Sequence, residues 1–319
     1  DEKYKGGINH KGEKDNYYAY LEDLKDNCPG MPLVIAEYGL PSSRGNSHST
    51  PFGLDQGGHS EKKQAELNRT LTEDIFHTGC GGAIYFEWID EWFKFNWLVM
   101  DFEVPAERRK LWHNMENPEQ NFGVIAVEQR TKTVDGISDD WTENEKISSS
   151  GSKAVVSASS DAEYFYMKLK SDKLDPTKEK IFIAIDTYDK KKGSHKLPYI
   201  DKALDRGYEF LIGIHSKDSA EILVDENYSV YSDIYADFVP VYASKENNNG
   251  KFVRQILLSN RERESLTGEK VSRKVYDRSS LIHGNSSQAE YSNSNMFIDE
   301  QSGIIEIRLP WHLLNVTDP

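Results

Sequence analysis

Two stretches of this sequence carry residues whose types and order could do chemistry. In PLVIAEYGLPSSRG, Glu37 stands at the carboxyl end of a short apolar run, and Tyr38-Gly39 turns the chain away from it. A carboxylate fixed at a strand end can serve as nucleophile, acid or base. It could equally close an ion pair with a Lys or Arg on a packing helix. In GGAIYFEWIDEWFKFNW, Glu87, Trp88, Asp90, Glu91, Trp92, Lys94 and Trp97 crowd the end of a second apolar run. Flat aromatic faces beside hydrogen-bonding acids suit sugars, which present C–H patches rimmed by hydroxyls. Trp88, Asp90 and Glu91 are therefore candidate substrate contacts, and Arg44 and Lys94 are the cations that could turn inward beside them. The competing reading is an aromatic plug under a helix, a role for which Trp97 is the first candidate.

The elements that must position these residues alternate in type. Asp15 can cap a helix running to about Asn27, with Tyr17, Leu21, Leu24 and Cys28 on one side, before Pro29-Gly30 stops it. LVIAEYG then reads as a strand buried on both faces. After a Gly-, Ser- and Pro-rich connection, Ser60 caps a helix bearing Leu67, Leu71 and Ile75, which Gly79 closes. GGAIYFEWID is the next strand, and Pro105 suits the first turn of a further helix. Helix, strand, helix, strand, helix is the order of a parallel sheet with covering helices. Two strands cannot bury their own edges, so this order calls for further strands.

After residue 120 the periodicity changes. FGVIAVE, AEYFYMKLK, KIFIAIDTY, YEFLIGIHS, AEILVD, FVRQILLS and GIIEIRLP are strand-like runs parted by Gly-, Ser- and Asn-rich turns. Phe210, Ile212 and Ile214 share one strand face, while Glu209, Leu211 and Gly213 share the other. Such a series predicts a two-sheet antiparallel sandwich. The fold class expected for the whole chain is thus α/β plus all-β, with domains over 1–120 and 121–319.

Composition excludes some partners. With 39 basic against 53 acidic side chains the net charge is −14, which disfavours nucleic acid. No apolar run reaches the roughly 18 residues of a membrane span. Cys28 and Cys80 could form one disulfide, although buried free thiols are the simpler reading. Asp186 and Asp189 could hold a structural calcium but lack the regular spacing of a dedicated loop. No cofactor is called for, since Met167 and His215 show no pairing that would hold haem, and no other metal set is visible. Neither a G-x-S-x-G elbow nor a strand-borne G-x-G-x-x-G occurs. Both ends read as the interior of a longer polypeptide.

The two chemistry-bearing stretches resemble the seventh and eighth strands of the glycoside hydrolase clan built on (β/α)₈ barrels, nearest its β-galactosidase- and β-glucuronidase-like branch. That resemblance covers residues 1 to about 115. It implies an incomplete TIM barrel, Glu37 as the nucleophile of a retaining O-glycosyl hydrolase, and Trp88 stacked on the innermost sugar. It places the acid/base glutamate on a fourth strand, in an upstream part of the same polypeptide, so that this stretch alone would be inactive. VDGISDDW, SSDAEYFYMKL and IFIAIDTYD in turn resemble the carbohydrate-binding modules first known from xylanases, with their haem- and sugar-binding relatives. That likeness implies a jelly-roll-like β-sandwich, an oligo- or polysaccharide partner, and a secreted or cell-surface setting. Trp141 of VDGISDDW reads more simply as core than as a sugar platform. The alternative to the hydrolase is a non-catalytic carbohydrate-binding or scaffold protein with a degenerate barrel.

Overall fold

The computed structural model describes residues 2–42, 46–49, 55–91, 94, 119–125, 130–148, 153–171, 175, 178–187, 189–200, 202–229, 249–260 and 262–316. Its first part contains α1 (Asn16–Asp26), β1 (Val34–Tyr38), β2 (Asn46–Ser49), β3 (Asp55–Gly57), α2 (Glu61–His77) and β4 (Gly82–Tyr85). The helix ends follow local chemistry. Asp15 accepts from the backbone N–H groups of Tyr17 and Tyr18, and Ser60 accepts from that of Lys63. Gly79 leaves α2 at a φ of 72°, a left-handed conformation in which a side chain would be strained.

β1 and β4 pair in parallel with α2 as their crossover, which is a βαβ unit. Among the described residues its sheet has two strands, and β2 and β3 form a separate antiparallel pair. The expected burial of both strand faces does not hold. Val34 is 52% exposed and Ile84 60% exposed, on the face they share by register. α2 packs against β4 and against α1, yet no residue of β1 or β4 is fully buried.

α2 itself buries polar groups where an apolar stripe was expected. Gln64 Nε2 donates to the carbonyl of Asn121 at 3.0 Å, and Asn68 Nδ2 donates to the Tyr85 hydroxyl at 2.6 Å. Asn68 Oδ1 also accepts from the N–H of Leu40. These amides tie α2 to the chain leaving both strands, and pairing is what permits them inside.

The second part comprises β5 (Val155–Ser160), β6 (Tyr164–Lys170), β7 (Ile181–Ile185), β8 (Phe210–Ser216), β9 (Ser219–Asp225), β10 (Phe252–Arg254), β11 (Ile256–Asn260), β12 (Arg263–Glu264), β13 (Lys270–Val271), β14 (Lys274–Asp277), β15 (Met296–Asp299) and β16 (Ile304–Pro310). Two four-stranded antiparallel sheets dominate, ordered β10-β9-β8-β7 and β15-β16-β6-β5. Their inward residues form one core, including Met167, Leu169, Phe210, Ile212, Ile214, Ile305 and Ile307. Alternation produces it, because every second residue of a strand faces the same side.

The expected fold class requires correction. Among the described residues no sheet closes or curls, so there is neither a (β/α)₈ TIM-barrel portion nor the closure of a jelly-roll β-sandwich. A barrel needs successive tilted strands joined into a ring, whereas the parallel sheet has two strands among the described residues. FVRQILLS is split at Gln255 into β10 and β11, which join different sheets. Residues 122–125 of FGVIAVE are not in a strand, and the remainder of that run lies outside the described residues, as does the helix expected at Pro105.

A polar latch joins the two parts. Arg130 pairs with Glu61 at 2.8 Å, in the first turn of α2, and with Glu163 at 3.4 Å, beside β6. Its guanidinium stands 5.9 Å from the Tyr164 ring centroid, and that of Arg308 stands 4.9 Å from the same centroid. Ser292 Oγ accepts from the Glu61 N–H at 3.4 Å, and Lys62 pairs with Glu290 nearby.

Candidate functional site

The end of the parallel pair carries most of the residues singled out in the sequence. Phe86 continues beside β1, its N–H donating to the carbonyl of Tyr38 at 2.9 Å. Beyond it, residues 123–125 run alongside the loop. Val124 N–H donates to the Glu87 carbonyl and Ile125 N–H to the Trp88 carbonyl, both at 3.2 Å. Asp90 Oδ1 accepts from Gly123 N–H at 2.6 Å. The backbone of 87–90 is therefore pinned along its length, while Trp88 remains 67% exposed.

The individual side chains divide by role. Asp90 is a loop clamp. Lys94 pairs with Glu91 and, at 2.7 Å, with Glu119, which draws Glu91 and Lys94 into a local ionic bridge. Glu87 is buried, and its Oε1 has no hydrogen-bond partner among the described residues. Burial, and then the charges of Glu91 and Asp90, push its carboxyl up to about 7. Glu37 instead points into solvent from β1. Arg44, Trp92 and Trp97 lie outside the described residues.

No family model, characterised protein or solved structure matches this chain. The resemblances to a barrel glycoside hydrolase and to a xylanase-type binding module are thus unsupported by comparison, and the open sheets contradict the folds they imply. A retaining glycosidase needs two carboxyl groups about 5 to 5.5 Å apart, held across a closed pocket. The described residues build no closed barrel in which Glu37 could take that part, and the reading as a hydrolase is withdrawn.

In the antiparallel region, Trp141, Asp186 and Asp189 of these motifs have partners within the fold. VDGISDDW folds around Glu306 of β16, whose carboxylate accepts from the N–H groups of Asp135 and Gly136 and from Trp141 Nε1 at 2.8 Å. Burial nonetheless pushes the Glu306 carboxyl up to about 7. The Trp141 ring has Lys132 Nζ at 5.1 Å and Lys168 Nζ at 4.9 Å from its centroid, so it is covered by cations. Asp186 pairs with Arg206 at 3.1 Å, and Asp189 accepts from Lys191 N–H. Among the described residues no group of three or more His, Cys, Asp or Glu side chains could hold a metal ion. Cys28 and Cys80 are free thiols, and Met167 belongs to the core.

One cluster was not anticipated. On the outward face of β7–β10, Tyr199 stacks on Phe182 with centroids 4.2 Å apart, and His215 stands edge-on to Phe182. His215 Nε2 lies 3.0 Å from Glu221 Oε1, and Arg254 pairs with both Glu221 and Asp277. Gly213, a strand glycine on the outward face, was the available signal. A Cβ there would sit 3.0 Å from the His215 ring, so glycine lets that ring lie flat towards Glu221.

Proposed function

We propose that this chain recognises carbohydrate without cleaving it, with Trp88 as the contact surface. The observation that carries the reading is the exposed indole on a pinned backbone. An aromatic residue spends side-chain freedom sparingly, and a loop already fixed by Asp90, Val124 and Ile125 has little left to order on binding. Ile89 and Val124 are exposed beside it, which widens the apolar surface available to a pyranose C–H face. Glu91 and Lys94 supply hydrogen-bonding groups at the rim in this reading, and the ligand is an oligo- or polysaccharide.

The test is quantitative binding of the chain to neutral polysaccharides, with Trp88→Ala compared against wild type. A weakening of about tenfold, equivalent to about 1.4 kcal/mol, is expected together with an unchanged melting temperature. Equal binding by the variant, or sustained turnover of an aryl glycoside by the wild type, would overturn it.

A scaffold role is the second reading, and a different observation favours it. The exposed Val34 and Ile84 form an apolar sheet face of the sort usually covered by further chain, including an upstream part of the same polypeptide. Protection of that face by an added segment, without glycan binding, would select it.

A further inference from the structure

The outward faces of the two large sheets differ. On β16 and β6 the outward face is roofed, with Glu306 under the 135–141 turn and Lys168 against Trp141. On β7–β10 the roof is partial. Leu211 is buried, but Tyr199 is 59% exposed and Arg254 stands open to solvent at the other end. Between them the contacts are continuous, from aromatic to polar.

The register places Phe182, Gly213 and Glu221 of this face in one row. Phe182 on β7 is opposite Gly213 on β8, and Gly213 is opposite Glu221 on β9. Neighbouring strands lie about 4.8 Å apart, so Phe182 to Glu221 covers about 10 Å. Arg254 and Asp277 extend the row further. That span accommodates at least two linked sugar rings.

We infer that this row, Tyr199, Phe182, His215, Glu221, Arg254 and Asp277, is a second glycan-binding site that takes a neutral oligosaccharide laid across the strands. Tyr199 offers its outer ring face, because Phe182 supports the inner one. The polar end is held in place before any ligand arrives. Glu221 is shared between His215 and Arg254, and Arg254 Nη2 also donates to Ser280 Oγ at 3.1 Å. A guanidinium has five N–H donors and a carboxylate about four acceptor sites, so these groups keep capacity for sugar hydroxyls. Two carboxylates balanced against Arg254 repel an acidic sugar and leave a neutral one unaffected.

This site rests on the carbohydrate-recognition reading but not on Trp88, and the experiment separates the two. The full chain is run in native gels containing xyloglucan, galactomannan or polygalacturonate. Wild type is expected to be retarded by a neutral polysaccharide and not by polygalacturonate. Tyr199→Ala should weaken that retardation at least tenfold, Tyr199→Phe should restore it, and Arg254→Gln should weaken it when each variant is read against its own mobility in plain gel. Trp88→Ala should remove only part of the wild-type retardation, and Trp88→Ala with Tyr199→Ala all of it. If Trp88→Ala abolishes retardation and Tyr199→Ala leaves it intact, the second site is refuted and the first stands. Retardation by none of the three polysaccharides overturns both.

Discussion

In β8, Phe210, Ile212 and Ile214 are shut away from water, whereas Val34 of β1 and Ile84 of β4 are more than half exposed on strands just as apolar. The difference lies in what each strand has across from it. β8 sits inside a four-stranded sheet whose inner face meets a second sheet of equal size. Among the described residues β1 and β4 have each other and, against β4, α2. An apolar run therefore reports the capacity to be buried, and the number of neighbouring strands decides whether that capacity is used.

The sharpest way to break this comparison is a pair of truncations. Ile212→Ala should destabilise the chain by about 2 to 5 kcal/mol, since it opens a cavity in a closed core. Ile84→Ala should change stability by less than about 0.5 kcal/mol. Urea denaturation of both variants checks the contrast. Equal losses would mean that the β1–β4 face is covered in solution, by a second copy or by another part of the chain.

A second test uses charge inside the helical unit. Asp74 of α2 is 1% exposed, and neither carboxyl oxygen accepts a hydrogen bond among the described residues. Burial and the proximity of Asp15 push its carboxyl up to about 7 from the ordinary value of 3.8. Between those values the folded chain holds a proton that the unfolded chain has released. Stability should accordingly fall as pH rises from about 4 to about 7, and the penalty should be fully present above it. Asp74→Asn removes that penalty. The variant should gain on the order of 1 to 3 kcal/mol at pH 8 and little at pH 4. Melting temperatures across this range decide the matter, and a parallel pH profile for both proteins would contradict the assignment.

How far these features were legible in the sequence depends on how local their causes are. The caps at Asp15 and Ser60 and the exit at Gly79 need only neighbouring residues, and they could be read directly. The inward alternation of β8 is equally local. The burial of Gln64 and Asn68 depends on carbonyls and a hydroxyl far along the chain, and no helical periodicity announces it. The same holds for Glu306, which looks like a solvent-facing residue of GIIEIRLP until the turn at Gly136 folds over it. At the candidate site, the crowding of acids and aromatics after β4 was visible, but their division into clamp, ionic bridge and exposed ring was not. The Tyr199–Phe182–His215–Glu221 row is assembled from three strands and a loop, so only Gly213 marked it in the one-dimensional pattern. The family resemblance failed for a related reason. Short strand-end motifs recur wherever a βα turn is needed, and sheet closure is a property of strands that those motifs do not contain.

The smallest expected effect concerns the junction between the two regions. Arg130 is partly exposed and is held by Glu61 of α2, by Glu163 next to β6 and by the Tyr164 ring. Arg130→Ala removes all three contacts, but Glu61 keeps access to water, and Arg308 remains near the Tyr164 ring. The loss should be about 0.5 to 1.5 kcal/mol, above an isolated surface pair and well below a core truncation. Its form matters more than its size. With the latch intact, α1 and α2 should unfold together with the sheets, because their shared contact raises the cost of losing one region alone. With Arg130→Ala, helical circular dichroism at 222 nm should begin to fall at lower urea than the near-ultraviolet signal, to which Trp141 and Trp311 contribute. High salt should narrow the difference between wild type and variant, since part of the latch is screened ion pairing. Coincident transitions in both proteins, at both ionic strengths, would show that the helical unit and the sheets are held together by contacts other than Arg130.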